Sequence, residues 1–178
     1  MIEEATAVEH DLGDAGGLGS LGKALADYQW FDPPMKPHYP DGWTPDPAAF
    51  DSGLDFSTKE LTAAELKSLE AWYMRWMGEI PPYVSFAAQY NPTMLKAYRN
   101  RFEHLVTELP KQIVPMTLLH YNVSRGSAEG VREHILLAKG FGVTRDDVQK
   151  TIYSAMVNAG MEALSLVNSV ARPIFDRW

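Results

Sequence analysis

The chain has 178 residues, 46% of them hydrophobic, a formal net charge of −7 and no cysteine. That length suits one hydrophobic core rather than two. The acidic balance and the lack of any Lys/Arg run argue against nucleic acid and anionic membrane surfaces as partners, and the missing cysteine excludes disulfides, thiolate metal sites and thiol catalysis.

No run of 18 apolar residues is present, and the first residues, MIEEATAVEHD, are acidic rather than signal-like, so the expected location is the cytoplasm. The Asn122-Val123-Ser124 triplet, a glycosylation acceptor by pattern, is then a coincidence.

Residues 1–57 read as an extended arm rich in glycine and proline. Gly17 to Gly22 matches G-x-G-x-x-G, but no β-branched strand precedes it, so the stretch reads as a flexible linker rather than a dinucleotide fingerprint. A short helix over Leu21–Tyr28 is compatible with the pattern. Trp30 to Phe50 then interleaves Pro33, Pro34, Pro37, Pro40, Pro45 and Pro47 with Trp30, Phe31, Tyr39, Trp43 and Phe50. Proline keeps such a segment extended, and its aromatic rings need a surface on which to bury.

Residues 58–178 read as a helical domain. Thr62 and Glu65 have the spacing of a capping box, opening a helix whose apolar face is Leu66, Leu69, Trp72, Tyr73, Trp76 and Met77 and which stops near Gly78. Pro81-Pro82 opens a shorter helix to Tyr90. Asn91-Pro92 is an N-cap followed by proline at the first position, and it places Met94, Leu95, Tyr98, Phe102, Leu105 and Val106 inward. Pro110 ends that helix, and Lys111–Val123 follows, with a kink expected at Pro115. Ser127–Lys139 carries Val131, Ile135, Leu137 and Ala138 at helical spacing, and His134 belongs to the same stripe. Gly140 and Gly142 allow a stop, Thr144 caps the next helix, and Asp146 and Asp147 suit its first turn. Gly160 interrupts, and a last helix over Met161–Val170 ends near Arg172-Pro173. No strand pattern is present. The expected fold is all-α, with about seven helices.

The junction formed by His134, Leu137–Lys139 and Gly142 to Val148 resembles the carboxymuconolactone decarboxylase family, which also holds the alkylhydroperoxidase D-like proteins. With the helices from about Leu61 onward, the resemblance covers some two-thirds of the chain. It implies the alkylhydroperoxidase D-like helical fold and a homo-oligomer, a trimer or hexamer. Peroxidase-type members carry Cys-x-x-Cys with a histidine four residues on. The corresponding positions here are Ser127 and Gly130, so the resemblance is to the cysteine-free, decarboxylase-like branch. That branch implies a cofactor-independent lyase acting on a small acidic or phenolic ring-derived compound from aromatic catabolism. Loss of carbon dioxide leaves a carbanion or dienolate that needs charge stabilisation and a proton.

The candidate acid/base residue is His134, with His120 on the preceding helix as a second and Glu129 or Glu133 orienting an imidazole. Arg125 and Arg132 are candidates for gripping a substrate carboxylate, and Trp76 and Tyr83 for lining the pocket. Arg125–Glu129 and Arg132–Glu129 are equally readable as surface helix pairs. The residues three before His134, His120 and His104 are Val131, Thr117 and Arg101, so no Glu-x-x-His metal pattern exists and no metal or other cofactor is expected. Isomerisation, hydration or ring opening on the same scaffold, or a non-catalytic binding pocket, remain open beside decarboxylation. Eight large apolar residues between Trp72 and Tyr98 are more than a small core hides, which again points to subunit contacts, with the Trp30–Phe50 segment packed across a neighbour.

Overall fold

The computed structural model describes residues 39–106 and 108–178. The glycine-rich stretch, the Leu21–Tyr28 helix and the arm up to residue 38 lie outside the described residues. Among the described residues seven α-helices follow one another: α1 (Ala63–Met77), α2 (Pro82–Tyr90), α3 (Pro92–Leu105), α4 (Ile113–Ser124), α5 (Ala128–Gly140), α6 (Arg145–Ala159) and α7 (Ala163–Phe175). No strand occurs among the described residues, which form an all-α body. No helix among them is long and apolar enough to cross a membrane.

The helix starts have local causes. Thr62 Oγ1 accepts from the Glu65 amide at 3.2 Å while Glu65 returns a carboxylate oxygen to the Thr62 amide at 2.8 Å, completing the capping box of α1. Asn91, Ser127 and Thr144 cap α3, α5 and α6 through their side chains. Gly78 and Gly160, both at φ 74°, end α1 and α6 in backbone that other residues rarely adopt.

Two boundaries differ from the sequence reading. Helix α4 begins at Ile113, so Pro115 is its third residue, where a missing N–H has no intrahelical bond to lose and gives no cause for a kink. Helix α7 continues through Pro173 to Phe175, because Ala171 and Ile174 are buried and hold that last turn against the body.

Two clusters of buried side chains make up the core. The first gathers Phe50, Leu69, Trp72, Tyr73, Val84, Leu95, Leu137 and Phe141; the second gathers Leu119, Val123, Val131, Ile135, Val148, Ile152, Val167 and Ile174. Helix α5 feeds both, and it packs against α1, α4 and α7.

Asp41–Trp178 is one compact unit, so the end of the stretch read as an arm packs within its own chain. Phe50 is 1% exposed and meets Phe102 and Phe141 edge to face, at 5.7 and 5.3 Å between ring centroids. Trp43 packs against the second cluster. The backbone around Phe50 is tied down by donors from the helices: Trp72 Nε1 donates to Ala49 O at 2.8 Å, Arg99 Nη2 to Phe50 O at 3.0 Å and Ser68 Oγ to Ser52 O at 2.8 Å.

Helix α3 corrects the expected inward face. Leu95 and Val106 are buried, but Met94 and Tyr98 are half-exposed, and Lys96 and Arg99 are buried in their place at 2% exposure. Each buried cation is paired. Lys96 donates to Glu65 and Glu60 O at 2.6 Å and to Thr58 Oγ1 at 2.9 Å. Arg99 donates to Glu103 at 2.8 Å and lies 4.3 Å from the Trp72 ring centroid.

Helices α1 and α5 come close at Gly140, where an added Cβ would stand 1.7 Å from the Trp76 carbonyl oxygen. Backbone cannot step aside as a side chain tip can. Gly140→Ala should therefore cost about 1–3 kcal/mol or more through overpacking, read as a fall in denaturation midpoint. An unchanged midpoint would show that the two helices are not held at this spacing.

Candidate active site

The C-terminal turn of α1, the start of α2 and the exposed arc of α5 enclose an open cleft of about 440 Å³. Its walls are Met77, Ile80, Pro81, Pro82 and Tyr83, and its polar groups are Glu79, Glu129, Arg132 and Glu133. Glu129, Arg132 and Glu133 reach it together because they stand at i, i+3 and i+4 on α5. Behind it lies a much smaller cavity lined by Trp72, Tyr73, Tyr83, Tyr98, Arg99, Phe102, Glu133, His134 and Leu137. Tyr83 and Glu133 line both and so form the partition between them.

The partition is a chain of hydrogen bonds. Tyr83 donates to Glu133 Oε1 at 3.2 Å, and the Tyr73 and Tyr83 hydroxyls are 2.7 Å apart. With the Tyr83 proton committed to the carboxylate, Tyr73 is the donor of that second bond. Burial pushes the Glu133 carboxyl up to about 7, against smaller lowering effects from the Tyr83 bond and from Arg99. Burial also raises Tyr73 and Tyr83, so both stay protonated phenols.

His134, 9% exposed, lines the inner cavity rather than the cleft. Its Nδ1 lies 2.7 Å from Gly130 O and 3.4 Å from Asn122 Nδ2. A carbonyl can only accept, so the shorter contact puts the proton on Nδ1 and leaves Nε2 as a lone pair. Burial lowers the imidazole's proton affinity, and the ring is neutral near pH 7. The imidazole is thus oriented by the Gly130 carbonyl, and neither Glu129 nor Glu133 does so.

The other sequence candidates divide. Glu129, Arg132 and Tyr83 come together in the cleft. Arg132 is held there by Glu79 in a two-pronged ion pair, with Nε donating at 2.7 Å and Nη2 to the second oxygen, in place of the expected partner Glu129. His120, half-buried, lines neither space, and its carbonyl accepts from Ser124 Oγ at 2.9 Å. Arg125 is exposed and lies over Tyr121, 5.4 Å from the ring centroid. Trp76, partly buried, packs edge-on against Phe141 at 4.9 Å between centroids, beside the first cluster, and does not line the cleft. Tyr73, Tyr98 and Arg99 were missed as site residues, and Glu133 was weighed only as an orienting group. The only local signal for any of them is the Arg99–Glu103 spacing, which marks an ion pair without placing it.

Position 130 has a feature of its own. A Cβ added to Gly130 would stand 2.1 Å from Asn122 Oδ1, so the Asn122 amide, tied to Leu118 O at 2.8 Å, occupies the space a side chain there would need. Among the described residues no three His, Asp or Glu side chains gather as metal ligands. No family model matches the chain, and no curated protein or solved structure matches it either.

A carboxyl raised from 4.5 to about 7 binds a proton more tightly in the folded chain than in the unfolded one. Its contribution to stability is therefore full below about pH 4.5 and is lost as pH rises through about 7. Thermal melts of Glu133→Gln and of the parent should diverge across that window, with the parent falling relative to the variant as pH rises. Parallel profiles would mean that Glu133 titrates normally.

Proposed function

We propose that the chain is a cofactor-independent acid/base enzyme that binds a small ring-derived compound in the cleft and exchanges a proton with it at Glu133. The observation that carries this reading is a carboxyl poised near neutrality at the wall of a substrate-sized cleft. At pH 7 such a group is available in both protonation states, so it can take a proton from a carbon acid and return it. Tyr83, donating to Glu133, favours the carboxylate when the proton leaves, and Tyr73 steadies Tyr83. The neutral His134, which lines the smaller cavity beyond Tyr83 and Glu133, offers a second proton acceptor through Nε2.

The decarboxylase-like lyase implied by the α5–α6 junction would use Glu133 to protonate the carbanion left by carbon dioxide. A second reading, isomerisation of an uncharged ring ketone or phenol, is favoured by the Glu79–Arg132 pair, which already balances the charge of Arg132 and puts a carboxylate beside any substrate carboxylate it would hold.

Small ring ketones, phenols and lactones incubated in deuterium oxide test the shared step. The expected result is deuterium at a carbon next to the carbonyl in at least one compound, with exchange reduced roughly 10²–10⁴-fold in a folded Glu133→Gln protein. Exchange that proceeds equally in the variant would refute Glu133 as the proton carrier.

A homo-oligomer, for which the resemblance gives a trimer or hexamer, is supported by Phe86 and Tyr90 on α2, each 66% exposed, beside half-exposed Met94 and Tyr98 on α3. The paired variant Phe86→Ser, Tyr90→Ser should sediment as a smaller species than the parent. Equal masses for the two proteins would place the contact elsewhere.

A further inference from the structure

We infer that the cleft is a site for a small apolar organic cation, a protonated amine carried on a ring or short hydrocarbon, and that it disfavours carboxylates. The inference deepens the acid/base reading, since it concerns the same cleft, and it rests on which charges there are already spent. Four of the walls, Met77, Ile80, Pro81 and Pro82, are apolar and Tyr83 adds a ring, enough to cover one hydrocarbon ring in about 440 Å³. The one cation among the described lining residues, Arg132, gives Nε and Nη2 to Glu79, so its charge is already balanced and a carboxylate entering would meet Glu79 beside it. On the inner side Arg99 faces Glu133 from α3, but it is bound to Glu103 and to Phe50 O.

These two ion pairs cancel and leave Glu129 and Glu133. Glu129 is exposed at the cleft edge in the first turn of α5, with no ion-pair partner among the described residues. Glu133 has only the Tyr83 hydroxyl as a hydrogen-bond partner there. The remaining titratable neighbours add no charge: Tyr73 on α1, Tyr83 on α2 and Tyr98 on α3 are protonated phenols, and His134 on α5 is neutral. An ammonium group entering beside Tyr83 would meet one or two carboxylates with no unpaired cation among the described lining residues to oppose it, while its hydrocarbon body lies on the apolar walls. Cation binding and Glu133 ionisation help each other, so affinity should rise as pH increases from about 5 to about 8.

The test uses the isotopically labelled full chain and three probes of equal shape: benzylammonium, benzyl alcohol and benzoate. In amide NMR titrations, benzylammonium should shift Ile80, Glu129 and Glu133 and bind at least about tenfold more tightly than benzoate. Glu129→Gln, a change at an exposed position, should weaken the amine several-fold. Glu79→Gln should release Arg132 and move the preference towards benzoate. Benzoate binding the parent cleft as well as the amine does, or amine shifts confined to other parts of the chain, would overturn the inference. The deuterium-exchange result stands apart from these outcomes. Amine selectivity with Glu133-independent exchange would sink the catalytic reading alone, and Glu133-dependent exchange without amine selectivity would sink the ligand class alone.

Discussion

Helix α5 has to bury on two sides at once, and the rest of the molecule is arranged around that demand. Val131, Ile135 and Ala138 enter the cluster built with α4, α6 and α7, while Leu137 enters the cluster built with α1, α3 and Phe50. A helix wrapped so widely has only a narrow arc left for polar residues. Glu129, Arg132 and Glu133 share that arc, and Glu133 stands at its edge, where the body of the first cluster strips water from its carboxyl. The perturbed acid is thus a product of packing. Arg132 leans away from it towards Glu79, so no cation on α5 itself relieves the desolvation.

The close contact at Gly140 serves the same demand from the other end. With no side chain there, the Trp76 carbonyl can rest on α5, which brings the α1 C-terminus and the Glu79–Pro82 turn over the cleft. The buried cations of α3 act on the opposite flank. Lys96 and Arg99 reach the chain leading into α1 and the backbone of Phe50, and they lock those segments with charge-assisted bonds. A buried pair of this kind adds little net stability over an apolar replacement, yet losing one partner is costly, so the arrangement fixes position more than it adds strength.

The helices were legible in the sequence because their signals are local. Thr62–Glu65, Asn91-Pro92, Ser127 and Thr144 mark starts within a few residues of the bonds they make, and the apolar spacing of α5 shows which face it buries. The candidate site was only partly legible. Tyr83 meets Glu133 across 50 positions and Glu79 meets Arg132 across 53, and no periodicity encodes such meetings. Helical spacing also treats charge as an outward mark, so it leaves Lys96 and Arg99 out of the expected inward face, and their partners Glu65 and Phe50 O lie 31 and 49 residues away. His134 was correctly put on the buried stripe, but its burial makes it a neutral ring held by Gly130 O, and the proton poised near neutrality belongs to its neighbour in sequence.

The same histidine sits in a corner where α4 and α5 pack without room for another side chain. At position 130 the space for a side chain is already taken by the Asn122 amide, which bonds to Leu118 O and lies against His134. A larger residue there would have to expel Asn122 from a buried place and break its bond to the α4 backbone. It would also disturb the turn whose carbonyl fixes the His134 tautomer. Asn122, Gly130 and His134 therefore behave as one packed unit spanning α4 and α5, and the next residue toward the helix start, Glu133, is the one that lines the open cleft.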